Sequence, residues 1–413
     1  MPKAVEIART GGPEVLALVE RDPGPPGPGQ ARIRVAAAGV NFIDVYFRTG
    51  LYPRPLPFVA GLEGGGTIEA VGPGVHGLAA GDRVAWAAVP GSYAEALVAP
   101  AAQLVKVPDA VAADVAAAAM LQGMTAHSLV HALRAPQPGA WALVHAASGG
   151  TGLLLVQMLK RAGLRVVATC STEEKAALAA EAGAERIVLY TREDFVAAAR
   201  EASGGRGVDV VYDGVGRATF DGSLASLRPR GLLALFGQAS GPVPPFDLQR
   251  LNAGGSLMVT RPSLAHFTAT REELELRAGA VLGAIAEGWL AVRIGARFPL
   301  AAAADAHRAL EGRATTGKVL LVPWSGSGIR SGSPGTAGKR SARQSAFACS
   351  MRSRELDTKF QYTWLGPSIG SPPSTRRRAV PSARYTTWEP ARNTSRRPAA
   401  KRWPAISTAP LAT

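Results

Sequence analysis

Trp141-Ala142-Leu143-Val144-His145-Ala146-Ala147-Ser148-Gly149-Gly150-Thr151-Gly152-Leu153-Leu154-Leu155-Val156-Gln157-Met158-Leu159 reads as a short apolar strand running through a glycine turn into an apolar helix. Glycines suit such a turn because the backbone must bend tightly and approach a pyrophosphate closely, leaving the helix N-terminal N–H groups to receive its charge. Residues 146–152 follow A-x-x-G-x-x-G, a departure from the common G-x-G-x-x-G. A glycine cluster alone is weak, but this one sits between a strand and a helix and is followed by further units of the same kind. Those units are Arg165 to Thr169, Thr172 to Ala182, Arg186 to Leu189, Asp194 to Ala202, Val208 to Tyr212 and Gly231 to Phe236. Apolar runs alternating with helical patterns imply parallel strands covered on both faces by crossover helices.

Nucleotide choice is read at the end of the second strand, where an Asp or Glu would grip the ribose 2′-hydroxyl of NAD. Here that end is Ala168-Thr169-Cys170-Ser171, with Thr172 following and Lys175 a helical turn on. Small hydroxyls and a lysine suit a 2′-phosphate, so the cofactor read from these residues is NADPH. The plain alternative is a solvated surface lysine, and Glu173 and Glu174 add local repulsion.

Outside this region, residues 1–120 alternate short β-like runs with Gly/Pro turns, as in Ala31 to Ala36 and Asp82 to Trp86. Residues 262–323 mix helical patterns at Arg271 to Glu287 and Ala303 to Glu311 with a last strand at Lys318 to Val322. The net charge of +15 is uneven: residues 324–413 hold 16 Lys and Arg against 3 Asp and Glu, leaving 30 basic and 28 acidic side chains on the first 323. That Arg/Ser/Pro-rich tail lacks apolar periodicity and is expected to be disordered. Two cysteines, Cys170 and Cys349, exclude a disulfide framework, and the N-terminus lacks an apolar leader, so a cytoplasmic location is expected. The longest uncharged stretch, Ala135 to Leu159, carries the glycine turn in its middle and is not read as a membrane span.

Several segments together resemble one family: Gly11 to Leu16, Gly39-Val40-Asn41-Phe42-Ile43-Asp44-Val45-Tyr46, Gly50 to Pro53, Ala80 to Val84, Val211-Tyr212-Asp213-Gly214-Val215-Gly216, and Val259-Thr260-Arg261-Pro262-Ser263. Residues 1–323 are similar to the NADPH:quinone oxidoreductases of the zeta-crystallin type, zinc-independent members of the medium-chain dehydrogenase/reductase superfamily. The resemblance implies an α/β chain: a GroES-like β-rich catalytic domain over 1–120 completed by 262–323, and a Rossmann doubly wound parallel sheet domain over 121–261. It also implies an active site in the cleft between them and a homodimer. Carried onto this sequence, the cofactor contacts fall on Asn41, Phe42, Ile43, Asp44, Val45, Tyr46, Thr125, Ser128, Gly149, Gly150, Thr151 and Gly152. They continue on Ser171, Thr172, Lys175, Tyr190, Val215, Phe236, Gly237, Gln238, Ser240, Gly241, Pro262, Ser263, Leu264 and Arg313. Gly214, where relatives often carry Ser, and Lys318, where some carry small polar residues, depart from the pattern and are expected to alter only minor contacts.

Competing chemistries are poorly supported. Zinc dehydrogenases of the superfamily take ligands from segments that here read Gly39 to Phe42 and Gly61-Leu62-Glu63, and both lack the ligand. His127 and His131 have i, i+4 spacing but no third partner in the sequence, and His145 is read as a hydrogen-bonded core residue. Cys170 has no evident base, and Ser148 lies in no G-x-S-x-G elbow.

The expected activity is hydride transfer from NADPH to a quinone, with Asn41 and Tyr46 orienting the nicotinamide and the acceptor oxygen and Tyr52 lining the pocket. An NADPH-dependent enone or 2-alkenal reductase is an alternative. So is NADPH-sensing RNA binding, for which the basic tail with Trp364, Trp388 and Trp403 offers charge and aromatic side chains. The favoured expectation for that tail is no selected role.

Overall fold

A computed structural model describes residues 1–135 and 137–323. The basic tail and its expected disorder lie outside the described residues.

The glycine turn opens a six-stranded parallel sheet. Its strands run in the order Arg186–Leu189, Arg165–Cys170, Trp141–Val144, Val208–Asp213, Leu227–Leu235, Met258–Thr260. Numbered along the chain this is 3-2-1-4-5-6, the doubly wound order, with its reversal point between the strand that carries the turn and Val208–Asp213. Alternation along each strand feeds two cores. Trp141 and Leu143 join Val167, Val211 and Leu233 beneath Ala198, Ala199, Phe220 and Leu224. Ala142 and Val144 face the opposite layer with Leu155, Leu159, Val281 and Leu282.

A seven-stranded sheet draws strands from both ends of the described chain, with the order Ile294–Pro299, Lys318–Val322, Gln30–Val40, Glu63–Val71, Arg83–Trp86, Val105–Lys106 and with Ala96–Pro100 also pairing Gln30–Val40. The last described strand, Lys318–Val322, runs antiparallel to Gln30–Val40, with Val319 opposite Val40 and Leu321 opposite Ala38. The C-terminal segment therefore completes a sheet begun near the N-terminus. Among the described residues no helix is long and apolar enough to cross a membrane.

The position expected for the first domain boundary, between residues 120 and 121, falls inside one helix, Ala113–His131. Its run of small side chains packs on both sides. Ala117 and Ala118 sit on Ala37 and Leu320 of the seven-stranded sheet. Ala116, Met120 and Met124 enter the core beside the parallel sheet. Helix Arg271–Ala286 contributes Leu274, Ala278 and Val281 to that same core, so part of segment 262–323 packs with the nucleotide-binding fold.

Candidate active site

At the C-terminal end of the first parallel strand the chain turns at Ala146, whose φ of 50° lies in the left-handed region that glycine occupies at no steric cost. Helix Gly150–Arg161 begins directly afterwards. A Cβ at Gly152 would lie 2.4 Å from the Ala146 carbonyl oxygen and 2.7 Å from Ala147 Cα, so that glycine lets helix and strand close on each other. The C-terminal segment clamps the turn through the Gly317 N–H, which donates to the Ser148 carbonyl at 2.9 Å.

Two cavities meet in front of this turn. The first, of about 200 Å³, is lined by Ser148, Gly149, Gly150, Thr151, Gly152, Ser171, Tyr190, Lys175 and Arg313 among others. Its charged lining residues are the two cations, and the Lys175 ammonium donates to the Arg313 carbonyl at 2.7 Å. A cationic pocket ending at a glycine turn fits a dinucleotide carrying an extra phosphate. The second cavity, of about 370 Å³, is mostly apolar, with Phe42, Ile43, Leu62, Leu129, Phe236, Pro262 and Leu264 in its walls. Asn41, Phe42, Gln122, Thr151, Gly214 and Phe236 line both. Gln122 lines both cavities, and its side-chain oxygen is buried against Gly150 without a hydrogen-bond partner.

Tyr46 and Tyr52 supply hydroxyls to the second cavity, with ring centroids 5.3 Å apart. The Tyr46 oxygen accepts from the Gln238 N–H at 3.0 Å, and the Tyr52 oxygen accepts from the Arg261 guanidinium at 3.4 Å. Among the described residues neither hydroxyl donates, so both O–H groups are free for a ligand. Burial raises the Tyr46 pKa above that of a free phenol, which keeps it a donor at neutral pH.

The Asn41 Nδ2 donates to Glu63 Oε2 at 2.8 Å and to the Gly39 carbonyl at 3.3 Å, while Oδ1 accepts from Lys318 Nζ at 2.7 Å and from Gln122 Nε2 at 3.3 Å. These bonds hold the Asn41 amide in the wall shared by the two cavities. Glu63 also accepts from the Leu121 N–H at 2.6 Å and pairs with Lys318, and both charged side chains are essentially inaccessible. Lys318, expected to touch only minor contacts, is the hub of this network.

Residues 27–109 match the model of the alcohol dehydrogenase GroES-like domain, and residues 150–276 that of the zinc-binding dehydrogenases. A quinone oxidoreductase of Pseudomonas aeruginosa is 43% identical over 325 residues, which cover 78% of this chain and all of the relative. The chain belongs to the quinone oxidoreductase family of the medium-chain dehydrogenase/reductase superfamily. A 2-haloacrylate reductase of a Burkholderia species is 41% identical over 78% of this chain and 99% of its own. A mycobacterial protein solved in complex with NADPH superposes with a TM-score of 0.76 at 52% identity, covering 78% of this chain and all of that one.

Of the residues to which the family resemblance assigned cofactor contacts, Gly149, Gly150, Thr151, Gly152, Ser171, Lys175, Tyr190, Val215 and Arg313 line the first cavity. Ile43, Tyr46, Thr125, Ser128, Gly237, Pro262, Ser263 and Leu264 line the second, and Asn41, Phe42, Thr151 and Phe236 both. Six lie in neither lining, and each has a structural task instead. Asp44 accepts from the Asn41 N–H at 2.9 Å, Val45 is core, and Thr172 Oγ accepts from the Lys175 N–H at the start of helix Glu173–Glu181. Gln238 holds Tyr46 through its backbone N–H, Ser240 Oγ donates to the Val215 carbonyl, and Gly241 turns with a φ of 108°.

Sequence reasoning missed Gln122 and gave Arg261 no role, although Arg261 stood in a quoted segment; it left Glu63 as the survivor of a zinc-ligand segment. His145, read as a core residue, is 2% exposed and bonds Thr169 Oγ and Ser223 Oγ, each at 3.1 Å. Burial pushes the Cys170 thiol up to about 11, unsuited to a nucleophile. The His127 and His131 rings lie tilted with centroids 4.7 Å apart, and among the described residues no group of three or more His, Cys, Asp or Glu side chains is placed to hold a metal.

Proposed function

We propose that this chain reduces a quinone with NADPH, the nucleotide in the first cavity and the acceptor in the second. The observation that carries the proposal is the junction itself: a cationic, glycine-edged cavity opens into an apolar one through walls shared by Asn41, Phe42, Thr151 and Phe236. The residues suited to hold the phosphates are Gly149 to Gly152 with the helix N-terminus behind them, and those suited to the 2′-phosphate are Ser171, Lys175, Tyr190 and Arg313. Bound there, NADPH supplies a hydride to the acceptor.

The protein's contribution is placement and a donor environment. Tyr46 presents an O–H donor to an oxygen that gains charge, and the apolar walls limit water. Solvent supplies the proton that completes a quinol. The reaction is proposed to need no zinc. Leu62 stands where a ligand would be required, and the charge beside Glu63 is the Lys318 ammonium, which already occupies the carboxylate. A division at 1–120 with 262–323 against 121–261 is proposed as the functional one, the helix Ala113–His131 serving both parts.

Quinone-dependent oxidation of NADPH by the full chain, compared with NADH, tests this reading. Turnover with NADPH well ahead of NADH supports it, and NADPH binding without quinone turnover defeats the choice of acceptor. The similarity to a 2-haloacrylate reductase favours a second reading, reduction of an electron-poor alkene in the same cavity. An α,β-unsaturated substrate in the same assay separates the two.

A further inference from the structure

Arg261 is the one charged side chain in the lining of the second cavity, and no carboxylate lines that cavity with it. Its side chain is exposed at the cavity mouth, as arginines commonly are, and it reaches no carboxylate, unlike the covered cations Arg48 and Lys318, which pair with Glu311 and Glu63. Arg261 instead spends its donors on neutral oxygens. NH1 donates to the Leu235 carbonyl at 3.0 Å and NH2 to the Tyr52 hydroxyl at 3.4 Å, which fixes the guanidinium at the cavity edge without neutralising it. It has no acidic partner among the described residues.

The neighbouring polar groups have the same polarity. Tyr46 and Tyr52 each receive an N–H on the phenol oxygen, so each has only its O–H left to offer. The polar end of the cavity is therefore a cluster of donors around one permanent cation, facing apolar walls. Such a cluster matches an anionic oxygen pair better than a neutral carbonyl, because a guanidinium offers a planar fork that a carboxylate fills with two charge-assisted bonds.

We infer that the acceptor cavity selects substrates bearing a carboxylate, seated on Arg261 with Tyr52 beside it, and that Arg261 is a specificity-determining residue. The inference rests on the proposed acceptor cavity and narrows its substrate class. The reduction itself is unchanged: the hydride adds to the quinone or alkene, solvent supplies the proton, and the carboxylate stays intact as a handle. Direct charge-assisted pairing with this exposed guanidinium is worth up to about tenfold in preference for the anion at low salt.

Two measurements on the full chain test it. The first compares kcat/KM, with NADPH, for a benzoquinone carrying a propanoate side chain and for its methyl ester. The second compares binding of benzoate and benzamide to the chain saturated with NADP+, by calorimetry. The expected result is about a tenfold preference for the charged member of each pair that shrinks as salt is raised. It should collapse towards one in R261Q and survive only in part in R261K, whose ammonium keeps the charge but not the planar fork. The inference is overturned if wild type shows no charge preference or if the preference persists in R261Q. It is also overturned if R261Q weakens NADP+ itself tenfold while leaving the ratios alone, because Arg261 then serves the nucleotide. Should neither quinone be reduced while benzoate still outbinds benzamide through Arg261, the anion seat stands and the quinone reading falls. Quinone turnover indifferent to charge removes the anion seat and leaves the quinone reading standing.

Discussion

The Lys318 ammonium donates to the Asn41 side-chain oxygen at 2.7 Å across 277 residues of chain, and the same ammonium pairs with Glu63, so the last described strand holds the wall shared by both cavities. Placing a charged pair at 1% and 0% side-chain exposure costs solvation that only a complete set of partners offsets. Glu63 has those partners in Lys318, Asn41 and the Leu121 N–H. Replacing Lys318 by Met leaves the carboxylate buried without a counter-charge, and we expect a loss of about 3–5 kcal/mol in urea unfolding. The double variant K318M/E63L should recover more than half of it. A single-variant loss below about 1 kcal/mol would show that the pair contributes little.

Lys175 stands at the phosphate end of the first cavity, tethered to the Arg313 carbonyl. Lys175→Ala should raise the KM for NADPH about tenfold and the KM for NADH no more than about twofold, since one charge-assisted contact to a phosphate is worth that much. Equal effects on both cofactors would mean that the lysine only supports the Arg313 loop.

Burial lifts the Asp44 carboxyl to about 7, against donation from the Asn41 N–H and the Tyr93 hydroxyl, which lowers it. The folded value stands above the unfolded 3.8, so between about pH 4 and 7 the native chain keeps a proton that the unfolded chain has released. This group therefore subtracts stability as pH rises through that window, by about 4 kcal/mol once pH exceeds 7. His307 opposes it. Burial lowers its pKa from 6.5 to about 3, so stability is lost as pH falls through that range. The difference between wild type and Asp44→Asn isolates the carboxyl. It should move in favour of the variant by about 2–4 kcal/mol between pH 5 and 8 in urea titrations. A difference that stays flat with pH would show that Asp44 is ionised throughout.

Ala146 occupies left-handed backbone that costs a residue with a Cβ about 1–2 kcal/mol. Ala146→Gly relieves this and adds unfolded-state freedom, a net gain of up to about 1 kcal/mol. Gly152→Ala does the reverse, pressing a Cβ onto two backbone atoms within 2.7 Å, with an expected loss of about 1–3 kcal/mol. Thermal unfolding of both variants checks the pair, and a stabilising Gly152→Ala would contradict the close packing of helix on strand.

Most of the parallel sheet was legible from residues alone. The run from Trp141 to Leu159 carries its own instructions: β-compatible apolar residues, glycines where the backbone turns, then helix-compatible spacing. The same local logic marked helices at Arg271–Ala286 and Ala303–Glu311 to within a residue. The first domain boundary was less legible, because an alanine run such as Ala116 to Ala119 has no polar face to show which layer it serves.

By itself the sequence determined the parallel sheet with its crossover helices, the glycine turn and the place of Lys175 one helical turn beyond the second strand, since each depends on residues near one another in the chain or on a backbone conformation that particular residue types favour; the partnership of Lys175 with Arg313, 138 residues away, came from the tertiary structure. Only the tertiary structure decided what Asn41, Glu63, Lys318 and Arg261 do. Their charges and amides acquire meaning from partners 22 to 277 residues away, and from whether a carboxylate stands within reach. The pairing of Lys318–Val322 against Gln30–Val40 brings the first three together in a dry interior, where every donor must find an acceptor, and leaves Arg261 at a cavity edge where its charge is still unmatched.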